Sequence, residues 1–126
     1  MSKKILYLAV LSFAVIAGLT GCYKNDYGTN PSSTSNGTPG TNEVWLQGMA
    51  FNPSAITVSA GTTIKWTNKD NITHTVTSGT PGSPDGVFDS GNIGNGATFS
   101  FTFNTKGTFQ YYCSIHQSMR GTVVVQ

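Results

Sequence analysis

Charged side chains are scarce in this 126-residue chain and make up 10% of it. Two of the seven Lys and Arg residues, Lys3 and Lys4, lie at the N-terminus, and the other five balance five Asp and Glu residues. After residue 4 the sequence therefore has neither a net charge nor a basic cluster. Phosphate backbones and anionic lipid surfaces are bound through clustered Lys and Arg. We expect no nucleic-acid partner and no polybasic membrane contact.

Long apolar runs are also lacking, except for the uncharged, mostly apolar residues 5–18 that follow the two lysines. This run is shorter than the roughly 20 apolar residues of a membrane-spanning helix. A short basic segment, an apolar run and small residues, in that order, are typical of a secretion signal. The run ends in a sequence that resembles the bacterial lipobox, where the signal is cleaved before a Cys that receives a lipid: Leu19, Thr20, Gly21 and Cys22.

We therefore predict a signal peptide over residues 1–21 and a lipid on Cys22, which would hold the protein on the cell envelope, facing the periplasm or the outer surface. An uncleaved anchor is the alternative, and it also exports the rest of the chain. Residues 23–42 are almost all Gly, Ser, Thr, Asn and Pro, without apolar periodicity. Such a segment has nothing to bury against the entropy of ordering it. Residues 22–42 are predicted to be a lipidated Cys and a flexible linker.

Residues 43–126 differ from the linker. They contain short segments in which apolar and polar residues alternate, and turn residues separate these segments. Side chains two apart on a strand share a face, so each alternation predicts a strand with one buried side. The predicted inward sets are Ile56 and Val58; Ile64 and Trp66; Phe99, Phe101 and Phe103; Phe109 and Tyr111; Val123 and Val125. Short strands at this spacing predict one all-β domain, a Greek-key β-sandwich of seven to eight antiparallel strands. Nothing in the sequence requires more than a monomer.

Side chains that bind metals are few beyond Cys22: one Cys, at position 113, and two His, at positions 74 and 116. Cys113, His116 and Met119 follow one another at intervals of three residues in a single predicted strand connection. Strand parity places Cys113 on the inward face of Tyr111, and His74 on that of Val76. A lone buried His is usually structural, but an exported thiol without a disulfide partner is explained economically by a metal.

Two imidazoles, a thiolate and a thioether form the donor set of a blue-copper electron-transfer site. Zinc makes little use of a thioether, and Cu(II) binds such sites more tightly in the Irving–Williams order. We therefore predict one type 1 copper ion as the cofactor.

Residues 43–126 resemble the cupredoxins of the plastocyanin and azurin family. The resemblance rests on Phe51, Asn52 and Pro53, the Gly61 turn, the strands around residues 64–68 and 107–113, and His74 placed 39 residues before Cys113. The spacing of Cys113, His116 and Met119 is similar to the short ligand loop of amicyanin. The resemblance implies a cupredoxin-like fold, with His74, Cys113 and His116 as equatorial copper ligands and Met119 as the axial ligand.

The chain departs from the family pattern beside the ligands. Thr75 stands where members often have Asn, and Ile115 and Gln117 flank His116 where Pro is common. Thr75 and Ser114 are candidates for contacts that tune the site through its ligands. The resemblance suggests Pro53, Ile115 and Gln117 as the rim on which a partner docks.

The predicted function is outer-sphere transfer of single electrons between redox proteins, such as a c-type cytochrome, an oxidase or a reductase, through the His116 imidazole. The alternative is a lipoprotein that binds copper, or delivers it to an oxidase. An enzyme is not expected: a copper oxidase needs further His ligands, and parity turns Cys113 inward, away from the exposure that a nucleophile requires. No catalytic residue is assigned. A metal-free adhesion sandwich would leave the ligand set to chance.

Overall fold

The computed structural model describes residues 37–126 of the chain. The predicted signal peptide, Cys22 and residues 23–36 of the predicted linker lie outside the described residues. Residues 37–40 have no regular secondary structure. Within the described part, no helix is long and apolar enough to cross a membrane.

The described residues form nine strands: β1 (Glu43–Leu46), β2 (Phe51–Asn52), β3 (Ala55–Val58), β4 (Thr62–Asn68), β5 (Thr77–Thr80), β6 (Ser83–Asp89), β7 (Thr98–Phe103), β8 (Gly107–Tyr112) and β9 (Arg120–Val125). One sheet has the order β2-β1-β4-β7, and the other has the order β3-β9-β8-β5-β6. Most connections pass from one sheet to the other, as in a Greek-key sandwich. The predicted all-β sandwich is confirmed, with the two-residue strand β2 bringing the number of strands to nine.

The two sheets are mixed, which corrects the expectation of antiparallel strands alone. β1 pairs with β4 in parallel, and β3 pairs with β9 in parallel. The other pairs are antiparallel, including β4 with β7 and β8 with β9. Alternating hydrophobicity shows which face of a strand is buried but carries no information about the direction of its partner, so the sequence did not reveal these pairs.

The core lies between the sheets and follows the predicted inward faces. Ile64, Trp66 and Val123 are fully buried, whereas Phe99 and Phe101 on β7 are half-buried and pack against the core. Phe103 on the same strand, which is the last strand of its sheet, is buried. Tyr111 contacts Phe51 edge to face, with ring centroids 4.7 Å apart, and packs against Trp66 at 5.5 Å. Aromatic rings therefore fill the centre of the sandwich.

The segment before β5 differs from the prediction. Parity within a strand over residues 72–76 would bury Ile72, His74 and Val76, but Ile72 is 42% exposed and β5 begins only at Thr77. His74 forms an isolated bridge with Ile93. The sequence pattern did not predict β6, since this strand contains Pro84 and Gly86, which are typical of turns and uncommon within strands. Its pairing with β5 contains an irregularity in register, as is common at a sheet edge.

Candidate metal centre

One end of the sandwich brings together the β4–β5 connection, which carries His74, and the β8–β9 connection, which carries the other predicted ligands. The His74 backbone is anchored on both sides, since its N–H donates to the Ile93 carbonyl at 3.1 Å and its carbonyl accepts from the Ile93 N–H at 2.8 Å. The His74 side chain is completely buried. Its imidazole therefore points into the molecule, as predicted, although it is carried by a loop and not by a strand.

The β8–β9 connection, residues 113–119, is closed by its own backbone. The Cys113 N–H donates to the Met119 carbonyl at 3.1 Å, and the Met119 N–H donates to the His116 carbonyl at 2.9 Å. Cys113 and Met119 are both buried within the core cluster, while His116 is half-buried. The loop thus turns a thiol and a thioether inward and leaves one imidazole between the interior and the surface.

Three donor atoms meet at this end. Nδ1 of His74 lies 3.1 Å from Nδ1 of His116, and Sγ of Cys113 lies 3.8 Å from each of these nitrogens. The corners of such a triangle are about 2.1 Å from its centre, within the range of metal–nitrogen and metal–sulfur bonds. His74, Cys113 and His116 are therefore positioned so that together they could hold one metal ion. A short trigonal N₂S plane is the arrangement that type 1 copper takes.

The Cys113 sulfur accepts two backbone hydrogen bonds. The Thr75 N–H lies 3.3 Å from Sγ, and the His116 N–H lies 3.4 Å from it. Among the residues that the structure covers, Cys113 is a free cysteine, and it is fully buried. N–H groups that point at sulfur stabilise the negative charge of a thiolate, which is the form that binds metal.

Asp70 orients the buried imidazole from the other side. Its Oδ2 lies 2.9 Å from Nε2 of His74, and a carboxylate only accepts hydrogen bonds, so Nε2 is the donor and Nδ1 is the nitrogen left to face a metal. Burial by itself raises the pKa of Asp70, but hydrogen bonds from the Gly48 and Met49 N–H groups and from His74 keep that pKa below its usual value. The carboxylate is therefore held in its ionised, accepting form.

Thr75 and Ser114, which follow His74 and Cys113 directly in the chain, contact each other. The Ser114 N–H donates to Oγ1 of Thr75 at 2.7 Å, and the two hydroxyl oxygens are 3.0 Å apart. Of the predicted rim residues, Ile115 is 49% exposed, Gln117 is exposed and Pro53 is half-buried. Asp70 was missed because nothing in its spacing from His74 indicates a contact when the intervening residues form a loop.

A β-sandwich with two imidazoles and a buried thiol converging at one end defines a class of metal-binding protein. Comparison with known proteins agrees: a family model described as copper binding proteins, plastocyanin/azurin family, matches residues 40–126. The amicyanin-alpha of Methylorubrum extorquens is 35% identical over 89 residues, covering 69% of this chain and 73% of that protein. The amicyanin of Paracoccus versutus is 27% identical over 141 residues, covering 100% and 99%.

Among solved structures, a purple cupredoxin from Nitrosopumilus maritimus superposes with a TM-score of 0.62 at 27% identity, covering 67% of this chain and 98% of that one. The chain belongs to the plastocyanin/azurin family of copper-binding proteins, and copper is the metal that its His, His and Cys donors suit.

Proposed function

We propose that this protein carries single electrons between redox partners, with one copper ion held by His74, Cys113 and His116 and, axially, by Met119. The observation that carries the proposal is the buried triangle of two Nδ1 atoms and one Sγ, with sides of 3.1, 3.8 and 3.8 Å. The buried side chain of Met119, in the same loop, supports the axial role. Copper in such a site cycles between Cu(II) and Cu(I) by gaining and losing one electron.

The chain supplies rigidity. His74 is fixed by the Ile93 bridge and by Asp70, and the Cys113 loop is fixed by its internal hydrogen bonds. Ligands that are held on both sides move little when the charge of the metal changes, so little reorganisation accompanies the transfer. The Thr75 and His116 N–H groups stabilise the charge on the Cys113 sulfur in both oxidation states.

The different exposure of the candidate ligands supports an electron route through His116. His74, Cys113 and Met119 are buried, whereas His116 is half-buried between two exposed residues, Ile115 and Gln117. His116 is therefore the ligand through which a docked protein is coupled to the metal. We place the docking rim at Pro53, Ile115 and Gln117, and the partner as a redox protein such as a c-type cytochrome, an oxidase or a reductase.

We further propose that the protein works outside the cytoplasm as a monomer anchored by a lipid on Cys22. The support is the sequence alone: the basic start, the apolar residues 5–18 and the small residues before Cys22. Labelling the expressed protein with radioactive palmitate should mark the native chain and leave a Cys22→Ala variant unmarked. Equal labelling of the two chains would remove the anchor from the proposal.

The visible spectrum of the purified protein loaded with Cu(II) tests the copper site. We expect an intense thiolate-to-copper band at roughly 600 nm that ascorbate bleaches and that Cys113→Ser abolishes. The absence of such a band, or stoichiometric binding of zinc instead of copper, would contradict the proposal of electron transfer.

Electron transfer and copper delivery are then separated by kinetics. A carrier exchanges electrons rapidly between its Cu(I) and Cu(II) forms and gives up its metal slowly to a chelator. Fast release of copper combined with slow electron self-exchange would identify a delivery protein. No residue is assigned a catalytic role.

A further inference from the structure

A row of hydroxyl groups leads away from the ligand loop to the edge of the second sheet. Oγ of Ser114 lies 3.0 Å from Oγ1 of Thr75, which lies 3.2 Å from Oγ1 of Thr77, which in turn lies 3.3 Å from Oδ1 of Asp89. Thr75 and Thr77 are 4% and 6% exposed, whereas Ser114 and Asp89 are exposed. The two threonine hydroxyls therefore form hydrogen bonds mainly with each other and with Ser114 and Asp89 at the two ends of the row.

The carboxylate fixes the direction of every bond in this row. A carboxylate only accepts, so the Thr77 hydroxyl donates to Asp89. Thr77 then has only lone pairs left for Thr75, and the Thr75 hydroxyl must donate to it. Both lone pairs of Thr75 consequently face Ser114, where they accept from the backbone N–H at 2.7 Å and from the side-chain O–H.

We propose that Thr77 and Asp89 are positioning residues for the metal centre. Because they make the Thr75 hydroxyl donate to Thr77, Thr75 acts only as an acceptor toward Ser114. This acceptor holds Ser114 and the neighbouring Cys113 in place. Without Thr77 and Asp89 the Thr75 hydroxyl rotates freely and competes as a donor toward Ser114. The inference rests on the proposed copper site, and it extends that site to two residues on β5 and β6 that contact none of the ligands directly.

The register of the sheet supports this role. Thr77 is the cross-strand partner of Asp89 on β6 and of Tyr112 on β8, the residue directly before Cys113. The links at 3.2 and 3.3 Å are long for hydroxyl hydrogen bonds, whereas the Ser114 N–H bond at 2.7 Å is short. The effect of removing a residue should therefore fall in the order Thr75, Thr77, Asp89.

Thr77→Val tests the proposal because it keeps the shape of the side chain and removes the hydroxyl. In the copper-free protein, we expect the Ser114 amide hydrogen to exchange with solvent about threefold faster. In the copper-loaded protein, the thiolate-to-copper band should shift, and copper should pass to a chelator about threefold faster than from the native chain. Thr75→Val should give a larger acceleration, about tenfold, as for other residues that contact metal ligands.

Two variants serve as controls. Thr77→Ser keeps the hydroxyl and should behave like the native protein. Thr102→Val removes a hydroxyl pair of 2.7 Å with Thr63 on the other sheet, away from the ligand loop, and should leave all three measurements unchanged. Thr77→Val values equal to those of Thr102→Val, or a Thr77→Ser variant as impaired as Thr77→Val, would overturn the proposal.

Two further outcomes are distinguishable. If Thr77→Val does not fold, Asp89→Ala at the exposed end should give the same changes in smaller size, and an unchanged Ser114 exchange rate there overturns the proposal. If the native protein shows no thiolate-to-copper band, the proposed function fails. The Ser114 exchange rates still decide whether Thr77 and Asp89 position the loop, since they are measured without metal.

Discussion

At the scale of single residues, the centre depends on a few side chains whose rarity makes them visible in the sequence. His74, Cys113 and His116 could be identified as candidates because the chain after residue 22 has no other Cys or His. Their partners could not. Asp70 reaches His74 and Thr77 reaches Thr75 through loop and sheet geometry, and Asp, Thr and Ser are too common for their positions to indicate a role.

Met119→Leu should keep copper bound and raise the reduction potential. A leucine fills a similar volume but offers no sulfur lone pair, so the proposed copper site would lose a weak donor to Cu(II) and would keep His74, Cys113 and His116. Potentiometric titration followed at the thiolate-to-copper band measures the change. An unaltered spectrum and potential would remove Met119 from the site.

Asp70→Asn should weaken copper retention by about 10-fold or more. The amide removes the negative charge that orients His74 and strengthens it as a donor, and its NH₂ group replaces one of the two oxygens that now accept hydrogen bonds, either the one that accepts from the Gly48 N–H or the one that accepts from the Met49 N–H and His74. Competition with a chelator measures the loss. Asp85→Asn is the matched control, because that exposed carboxylate accepts only from the nearby Val87 N–H; a similar loss in both variants would rule out a specific role for Asp70.

At the scale of strands, the alternation of apolar residues predicted those whose one face is buried, such as β4, β7 and β9. It failed for β6, an edge strand with Pro84 and Gly86, and for the stretch around His74, whose backbone pairs only with Ile93. It was also silent on the parallel pairs. The alternation of apolar residues indicates which face of a strand is buried, whereas the pairing of strands depends on contacts between residues far apart in the chain.

The pairing of β8 with β9 requires a glycine opposite Tyr111. A Cβ on Gly121 would lie 2.2 Å from Cζ of Tyr111, and the Tyr111 ring packs against aromatic side chains of the core. Gly121→Ala should therefore lower the free energy of unfolding by about 3 kcal/mol, since the core cannot move aside without strain. Chemical denaturation of the copper-free protein measures it. Gly94→Ala, where a Cβ meets nothing within 4 Å, should change stability little; equal effects would contradict the steric argument.

At the scale of the whole molecule, Glu43 joins the start of β1 to β4 and makes stability depend on pH. Burial alone raises the pKa of Glu43, but hydrogen bonds from Thr67 and the Gly40 N–H, together with Lys65 at 3.2 Å, lower it from 4.5 to about 2. A pKa that is lower in the folded state contributes stability above the unfolded value, and this contribution is lost as the pH falls through the folded value.

The free energy of unfolding of the copper-free protein should therefore decline between pH 4.5 and about pH 2. Glu43→Gln should lower stability at neutral pH by about 1 kcal/mol and make the decline shallower. Urea denaturation at a series of pH values measures both effects. An acid decline as steep in Glu43→Gln as in the native protein would show that the Glu43 contacts do not contribute.

The complete burial of Cys113 also affects how fast the copper-free protein is oxidised. Oxidation of a thiol to sulfenic acid requires an oxidant to reach the sulfur, and the Cys113 side chain offers no surface to it. Peroxide gains access only when the ligand loop opens away from the core. The rate at which Cys113 is oxidised in the copper-free protein should consequently depend on how often that loop opens as well as on the concentration of peroxide.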